Sequence, residues 1–183
     1  IVEQLAGRRQ KFIARCGDGE REPAAHIHTF ASPARSVGMI LVLDDEVRPD
    51  YRYLAPEIAR LLPDSDYHVY ADDTDVPPLD EYDGVVVSGS TASVYDDSHP
   101  WIAEQFALVE ECVEREIPVL GVCFGHQLVN WALGGDVVGD TRRATFVEME
   151  VLEEDEVLEG IDPVVPVLHA DLVTERGDGM VAT

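Results

Sequence analysis

Lysine is almost missing from this 183-residue chain, where Lys11 is the only one. Basic charge is scarce altogether, with 13 Lys and Arg against 37 Asp and Glu. The scarcity is uneven along the chain. Residues 1–38 hold four of the acidic and six of the basic residues, which leaves 33 against seven from Met39 onward, all seven arginine, a net of −26. So acidic a surface repels polyanions, and nucleic acid and anionic membrane surfaces are excluded as partners. It also opposes its own compaction unless salt screens it, so we expect a cytoplasm of very high salt, as in a halophile.

Long apolar runs are absent as well. None approaches the ~20 residues that a membrane-spanning helix needs, and no secretory signal pattern is visible. Cysteine is sparse: Cys16, Cys112 and Cys123 have neither disulfide nor zinc-finger spacing. A reducing, cytoplasmic setting fits that usage. His26 and His28 form a lone His-x-His with no Cys or carboxylate company, too little for a metal site. Cys112 falls in a helical stretch with Leu108 and reads as packing.

What is present is one domain's worth of chain with enough apolar residues for a core. Residues 1–38 do not share its pattern. Leu5, Phe12 and Ile13 are too sparse for a core stripe, and Gly, Pro, Ala and Ser interrupt them, so this segment reads as a disordered or non-native arm. Ile1 is not an initiator and Met39 stands just before the first apolar run, so we expect the domain to be residues 39–183.

From Met39 the chain alternates. Met39–Leu43 is a five-residue apolar run, hence a buried strand, and Asp44-Asp45-Glu46 reads as a loop at its end. Tyr53–Leu62 has helical spacing, with Pro56 in the first turn and Ile58, Leu61 and Leu62 on one side. Tyr67–Tyr70 is a short strand in which His68 has no evident partner. Tyr82–Val87 runs as a second buried strand into a Gly/Ser turn, Ser88-Gly89-Ser90-Thr91, whose backbone N–H groups can form an anion-binding nest. Trp101–Arg115 is the longest helical pattern, with Trp101, Ile102, Phe106, Val109 and Val113 spaced for one face. Val119–Val122 is a third buried strand. This alternation implies a mostly parallel sheet with helices on both faces and functional groups at the strands' carboxyl ends. Beyond the Gly134-Gly135 helix stop, Asp136–Val138 and Thr145–Val151 read as strands of an antiparallel part. Glu153–Glu156 is an acidic turn, and Val164–Leu168 is a strand that Pro166 places near an edge.

The chemistry concentrates after the third buried strand. Gly121-Val122-Cys123-Phe124-Gly125-His126-Gln127 joins that strand to a helix whose Leu128, Trp131, Ala132 and Leu133 can share a face. Strand, sharp turn and helix with a thiol at the turn is nucleophile-elbow geometry, with Gly on both flanks easing the turn. A helix N-terminus favours thiolate over thiol, so Cys123 is expected to be activated. The Phe124 N–H points to where an oxyanion would form.

Those seven residues resemble the nucleophile motif of class I, triad-type glutamine amidotransferases, and in particular their stand-alone GMP-synthase-like members. Further similarity runs from about Met39 to Thr183, through Val94–Ile102 and through Leu168-His169-Ala170-Asp171-Leu172-Val173, which is similar to the family's His-x-Asp-x-Val segment. The resemblance implies a flavodoxin-like sheet of the class I amidotransferase type and a glutaminase reaction with Cys123 as nucleophile. It implies an oxyanion hole from the Ser90 and Phe124 N–H groups, with Ser at position 90 where the family usually has Gly. Gly89, Gln127, His169, Ala170 and Asp171 would hold the glutamine substrate. No metal or cofactor is implied for this half-reaction, and any ammonia acceptor or synthetase would be a separate chain.

One part of the family pattern is missing. The resemblance implies a base and its orienter in a Phe-His-Pro-Glu segment, and no His-Pro-Glu occurs in the sequence. We therefore expect a chain truncated by about 30–50 residues relative to the family's usual domain size, and weak or inactive as it stands. His169 and Asp171, spaced i, i+2 so as to share a strand face, are the alternative base and orienter. Two other functions stay open: a γ-glutamyl peptidase of the same fold, and a non-catalytic binding module that has lost its His-Glu pair.

Overall fold

The computed structural model describes residues 38–151 and 160–180. The expected arm with Cys16, His26 and His28, the acidic turn at 153–156 and the last three residues lie outside the described residues, Gly38 excepted. Four strands form one parallel sheet: β1 (Ile40–Leu43), β2 (Ser65–His68), β3 (Gly84–Val87) and β4 (Val119–Gly121), in the order β2-β1-β3-β4. Three helices connect or follow them: α1 (Leu54–Leu61), α2 (Trp101–Glu114) and α3 (Phe124–Ala132). β1 and β3 are buried along their full length, as central strands covered on both faces must be.

Alternation along those strands divides the core in two. Leu41, Leu43, Val85 and Val87 pack with Trp101, Val109, Cys112, Phe124 and Leu128 of α2 and α3. Ile40, Val42 and Val86 face the other way, onto Ala55 of α1 with Ile58, Ala59 and Leu62 beside it. A period of two sends neighbours to opposite faces, so an unbroken apolar run serves two helix layers at once. Each fully buried Leu or Val contributes about 1.5–3 kcal/mol.

Several expectations are corrected by this packing. The second strand is Ser65–His68 rather than Tyr67–Tyr70, because pairing with β1 in the register Ile40↔Ser65 sets its start. Tyr70 lies past it, buried edge-on against Trp101. Leu61 is 74% exposed; the i, i+3, i+4, i+7 stripe of α1 is Ala55, Ile58, Ala59 and Leu62. On α2 the fully buried positions include Gln105 and Cys112, while Val113 stays outside the core. His68 finds a partner locally, its Nε2 lying 2.6 Å from the Asp73 carbonyl.

The antiparallel part is a two-stranded ribbon. β5 (Asp136–Glu148) is one strand where two segments were expected, pairing with β6 (Val164–Glu175) across a register break between Gly139 and Arg143. Pro166 sits in β6 opposite Phe146. Among the described residues no helix is long and apolar enough to cross a membrane.

Candidate active site around Cys123

The backbone turns from β4 into α3 at Cys123, which has φ 56° and ψ −110°. A non-glycine residue at positive φ costs about 1–3 kcal/mol and persists only where its surroundings hold it. Three hydrogen bonds do so: Val122 N–H to Val87 O at 3.0 Å, Gly125 N–H to Ser88 O at 2.9 Å, and Gln127 N–H to Cys123 O at 3.2 Å. The flanking glycines act differently from the expectation. The strain sits on the cysteine, and the glycines provide close approach. A Cβ on Gly125 would stand 2.1 Å from Val87 O, and one on Gly121 2.5 Å from Gly125 O.

The thiol reaches the surface, yet its pKa is raised, against the expectation of an activated thiolate. Desolvation is the main cause, the Asp171 carboxylate adds to it, and only the Phe124 N–H opposes it. Among the described residues no cation offsets the burial, since His126 on the same helix is itself driven down to about 4 by desolvation and stays neutral. One helix N-terminus does not outweigh partial burial beside a carboxylate.

Contacts tie Gly89, Phe124, Gln127, His169 and Asp171 to this turn or to the strand facing it. Gly89 lies against the turn, where an added Cβ would be 3.5 Å from Cys123 Cβ. Phe124 is the first residue of α3, its N–H directed at the sulfur. Ser90 follows in the turn after β3, and its side chain accepts from Ala92 N–H at 3.0 Å. Among the described residues only Glu116 and Cys123 have positive φ without being Gly, so the Ser90 backbone accommodates a side chain. From the ribbon, β6 brings residues 168–171 opposite the thiol, and Cys123 Sγ–H donates to Leu168 O at 3.7 Å. Gln127 Nε2–H donates to Asp171 O at 3.2 Å, and His169 Nδ1 contacts the same carbonyl at 3.1 Å. The Asp171 carboxylate accepts from Ser93 Oγ at 2.7 Å and Tyr95 Oη at 2.8 Å. Ala170 is exposed between them. His169 and Asp171 share a face, as their spacing predicts, but the imidazole is bonded to the Asp171 carbonyl and neither to its carboxylate nor to the thiol.

Sequence reasoning missed the polar groups that hold this arrangement. Asp44, Asp45 and Glu46 form the loop expected after β1, but a buried one, at 1%, 0% and 6% exposure. Asn130, fully buried on α3, donates to Glu175 O at 3.0 Å and accepts from Gly177 N–H at 2.9 Å, pinning the end of the ribbon to the helix. Three acids after a strand normally signal solvent, and a lone Asn in a helix signals nothing. Among the described residues no group of three or more His, Cys, Asp or Glu is arranged to hold a metal ion.

The order β2-β1-β3-β4 and a strained thiol between a strand's carboxyl end and a helix define an α/β protein with a nucleophile elbow. Comparison with known proteins gives the family. Residues 60–177 match the family model of class-I glutamine amidotransferases, and the chain belongs to that family. It is 34% identical over 121 residues to a glutamine-hydrolyzing GMP synthase subunit of Methanococcoides burtonii, covering 63% of this chain and 59% of that one. It is 40% identical over 68 residues to "Gamma-glutamyl peptidase 5" of Arabidopsis thaliana, covering 37% and 26%. The chain thus spans between half and three-fifths of the length of its GMP synthase relatives from methanogens. A crystal structure of a glutamine amidotransferase from Thermotoga maritima superposes with a TM-score of 0.63 at 24% identity, over 78% of this chain and 64% of that one. It shares the fold.

Proposed function

We propose that this chain hydrolyses the side-chain amide of glutamine through a thioester on Cys123. The carrying observation is the strained Cys123 backbone at the head of α3, with the Phe124 N–H aimed at the sulfur. In this reading Sγ attacks the amide carbon, and the resulting oxyanion accepts from the N–H groups of Ser90 and Phe124. Ammonia leaves with the proton gained from the thiol, and water cleaves the thioester to glutamate. Gly89, Gln127 and the His169-Ala170-Asp171 segment form the walls that hold the substrate. Because the thiol's pKa is raised, turnover depends on a base delivered to the sulfur. Similarity to glutamine-hydrolyzing subunits of GMP synthase supports a separate synthetase as the acceptor of ammonia.

A second reading, γ-glutamyl peptidase, is favoured by the 40% identity over 68 residues to such an enzyme. Both reactions pass through the same γ-glutamyl thioester and differ only in the leaving amine. Glutamine and a γ-glutamyl dipeptide are therefore compared in high salt, with Cys123→Ala as control. Equal release of ammonia and glutamate, lost in Cys123→Ala, supports the glutaminase; faster cleavage of the dipeptide overturns it in favour of the peptidase.

A further inference from the structure

A donor aimed at transition-state charge contributes most when it needs no reorganisation, and a Gly/Ser turn has little intrinsic stiffness. Residues 88–93 must therefore be held by something else. Glu46, just beyond β1, reaches that turn from a buried position. One carboxylate oxygen accepts from Thr91 N–H at 2.8 Å, and the other from Thr91 Oγ1 at 2.6 Å and Arg48 N–H at 2.8 Å. The Glu46 backbone is itself tied down, its N–H donating to Asp44 Oδ1 at 3.0 Å and its carbonyl accepting from Arg52 Nε at 2.8 Å.

We propose that Glu46 is a positioning residue for the Ser90 N–H, its carboxylate clamping both donors of Thr91 so that the preceding residue is held in place. Resting on the acyl-transfer reading above, this deepens it by assigning the aim of one oxyanion donor to a carboxylate that grips the next residue, Thr91, from 45 residues away. Two contacts fix the chain just after Ser90: Glu46 holds Thr91, and the Ser90 hydroxyl accepts from Ala92 N–H at 3.0 Å. Part-buried, charge-assisted bonds of this kind are among the stronger ones available to a turn. Glutamine cannot substitute, because its NH2 would face a donor where the native oxygen accepts.

Two reactions of the Cys123 thiol separate positioning from mere structure. Alkylation by iodoacetamide forms an S–C bond and expels iodide, with no oxyanion. Acylation by a γ-glutamyl aryl ester forms the thioester through an oxyanion and expels the aryl alcohol, which takes up the thiol proton. In mildly alkaline buffer, Glu46→Gln is expected to slow acylation about 10- to 100-fold while alkylation stays within about twofold. Thr91→Val, at an exposed position that folding should tolerate, loses the hydroxyl bond alone and slows acylation about fivefold; Thr91→Ser restores it. If Glu46→Gln and Thr91→Val acylate at the wild-type rate, or if both reactions fall together, the proposal is overturned. A wild-type chain that iodoacetamide labels but the ester does not would overturn the acyl-transfer reading as well.

Discussion

The parallel sheet and the β5–β6 ribbon meet at Cys123, and they are held by different forces. β1 and β3 are apolar and buried throughout, gripped by helices on both faces. In β5 only Val137 is buried, and Phe146 and Leu168 stand 71% and 54% exposed. Apart from Val137, which enters the main core with Val173 beside it, the ribbon is joined to the sheet half through Asn130, Gln127 and the Asp171 carboxylate with Ser93 and Tyr95. The nucleophile thus belongs to a region stabilised by apolar area, and the wall facing it to one positioned by directional bonds. Apolar burial is non-directional and supplies most of the stability, whereas hydrogen bonds specify where a weakly packed element sits. A strained backbone at Cys123 can be sustained by the first region and could not be by the second.

The comparison breaks most sharply at Gly125. Adding a methyl there drives it into the Val87 and Ser88 carbonyls, so Gly125→Ala should cost about 3 kcal/mol in urea unfolding; an unchanged midpoint would mean that the elbow is not locked to β3. On the ribbon side, Asn130→Ala leaves the buried Gly177 N–H without its acceptor. A loss of about 2 kcal/mol is expected, with faster amide exchange in β5 and β6 than in β1 and β3; uniform exchange would merge the two regions.

A smaller effect tests polar burial within the sheet half. Asp45 is fully buried, and Gln105 Nε2–H donates to its Oδ1 at 2.8 Å. Asp45 Oδ2 and Gln105 Oε1 both lack partners, and a proton on the acid would let one donate to the other. Burial, the largest cause, raises the Asp45 pKa well above the ordinary value. The folded chain therefore binds this proton more tightly than the unfolded chain. That stabilisation is fully present below the unfolded pKa and is lost as pH rises through the raised one. Asp45→Asn keeps both bonds without titrating, so it should be more stable than wild type by about 1 kcal/mol above that range and show a flatter pH profile. Equal pH profiles for the two proteins would count against a neutral Asp45. The smallest effect is expected at Phe146, where Phe146→Ser should shift stability by no more than about 0.5 kcal/mol. A large loss there would show that the ribbon is held by apolar packing after all.

Much of this was legible in the residues themselves. Met39–Leu43 and Tyr82–Val87 announced the two central strands because a strand covered on both faces is an uninterrupted apolar run; Val119–Val122, expected as a third buried strand, is the edge strand β4 of the described sheet and is only partly buried. The edge strand β2 was misplaced, since Ser65-Asp66-Tyr67-His68 carries no such signal and its position follows from pairing with β1. Gly121-Val122-Cys123-Phe124-Gly125 identified the elbow, but not that the strain would fall on the cysteine or that its pKa would rise. Both depend on what packs around the turn: Val87, Ser88 and the Asp171 carboxylate.

By itself, the sequence determined the alternating α/β order, the thiol at the strand-to-helix junction and the acidic surface. Each is carried by neighbours within a few residues, where backbone periodicity and turn chemistry act. Tertiary structure alone decided that three consecutive acids would be buried, that Glu46 would reach Thr91, and that Asn130 and Gln127 would secure the ribbon. Their partners lie 44 to 47 residues away. Whether a polar side chain meets solvent or a distant donor is set by the folded geometry around it, and local pattern cannot encode that.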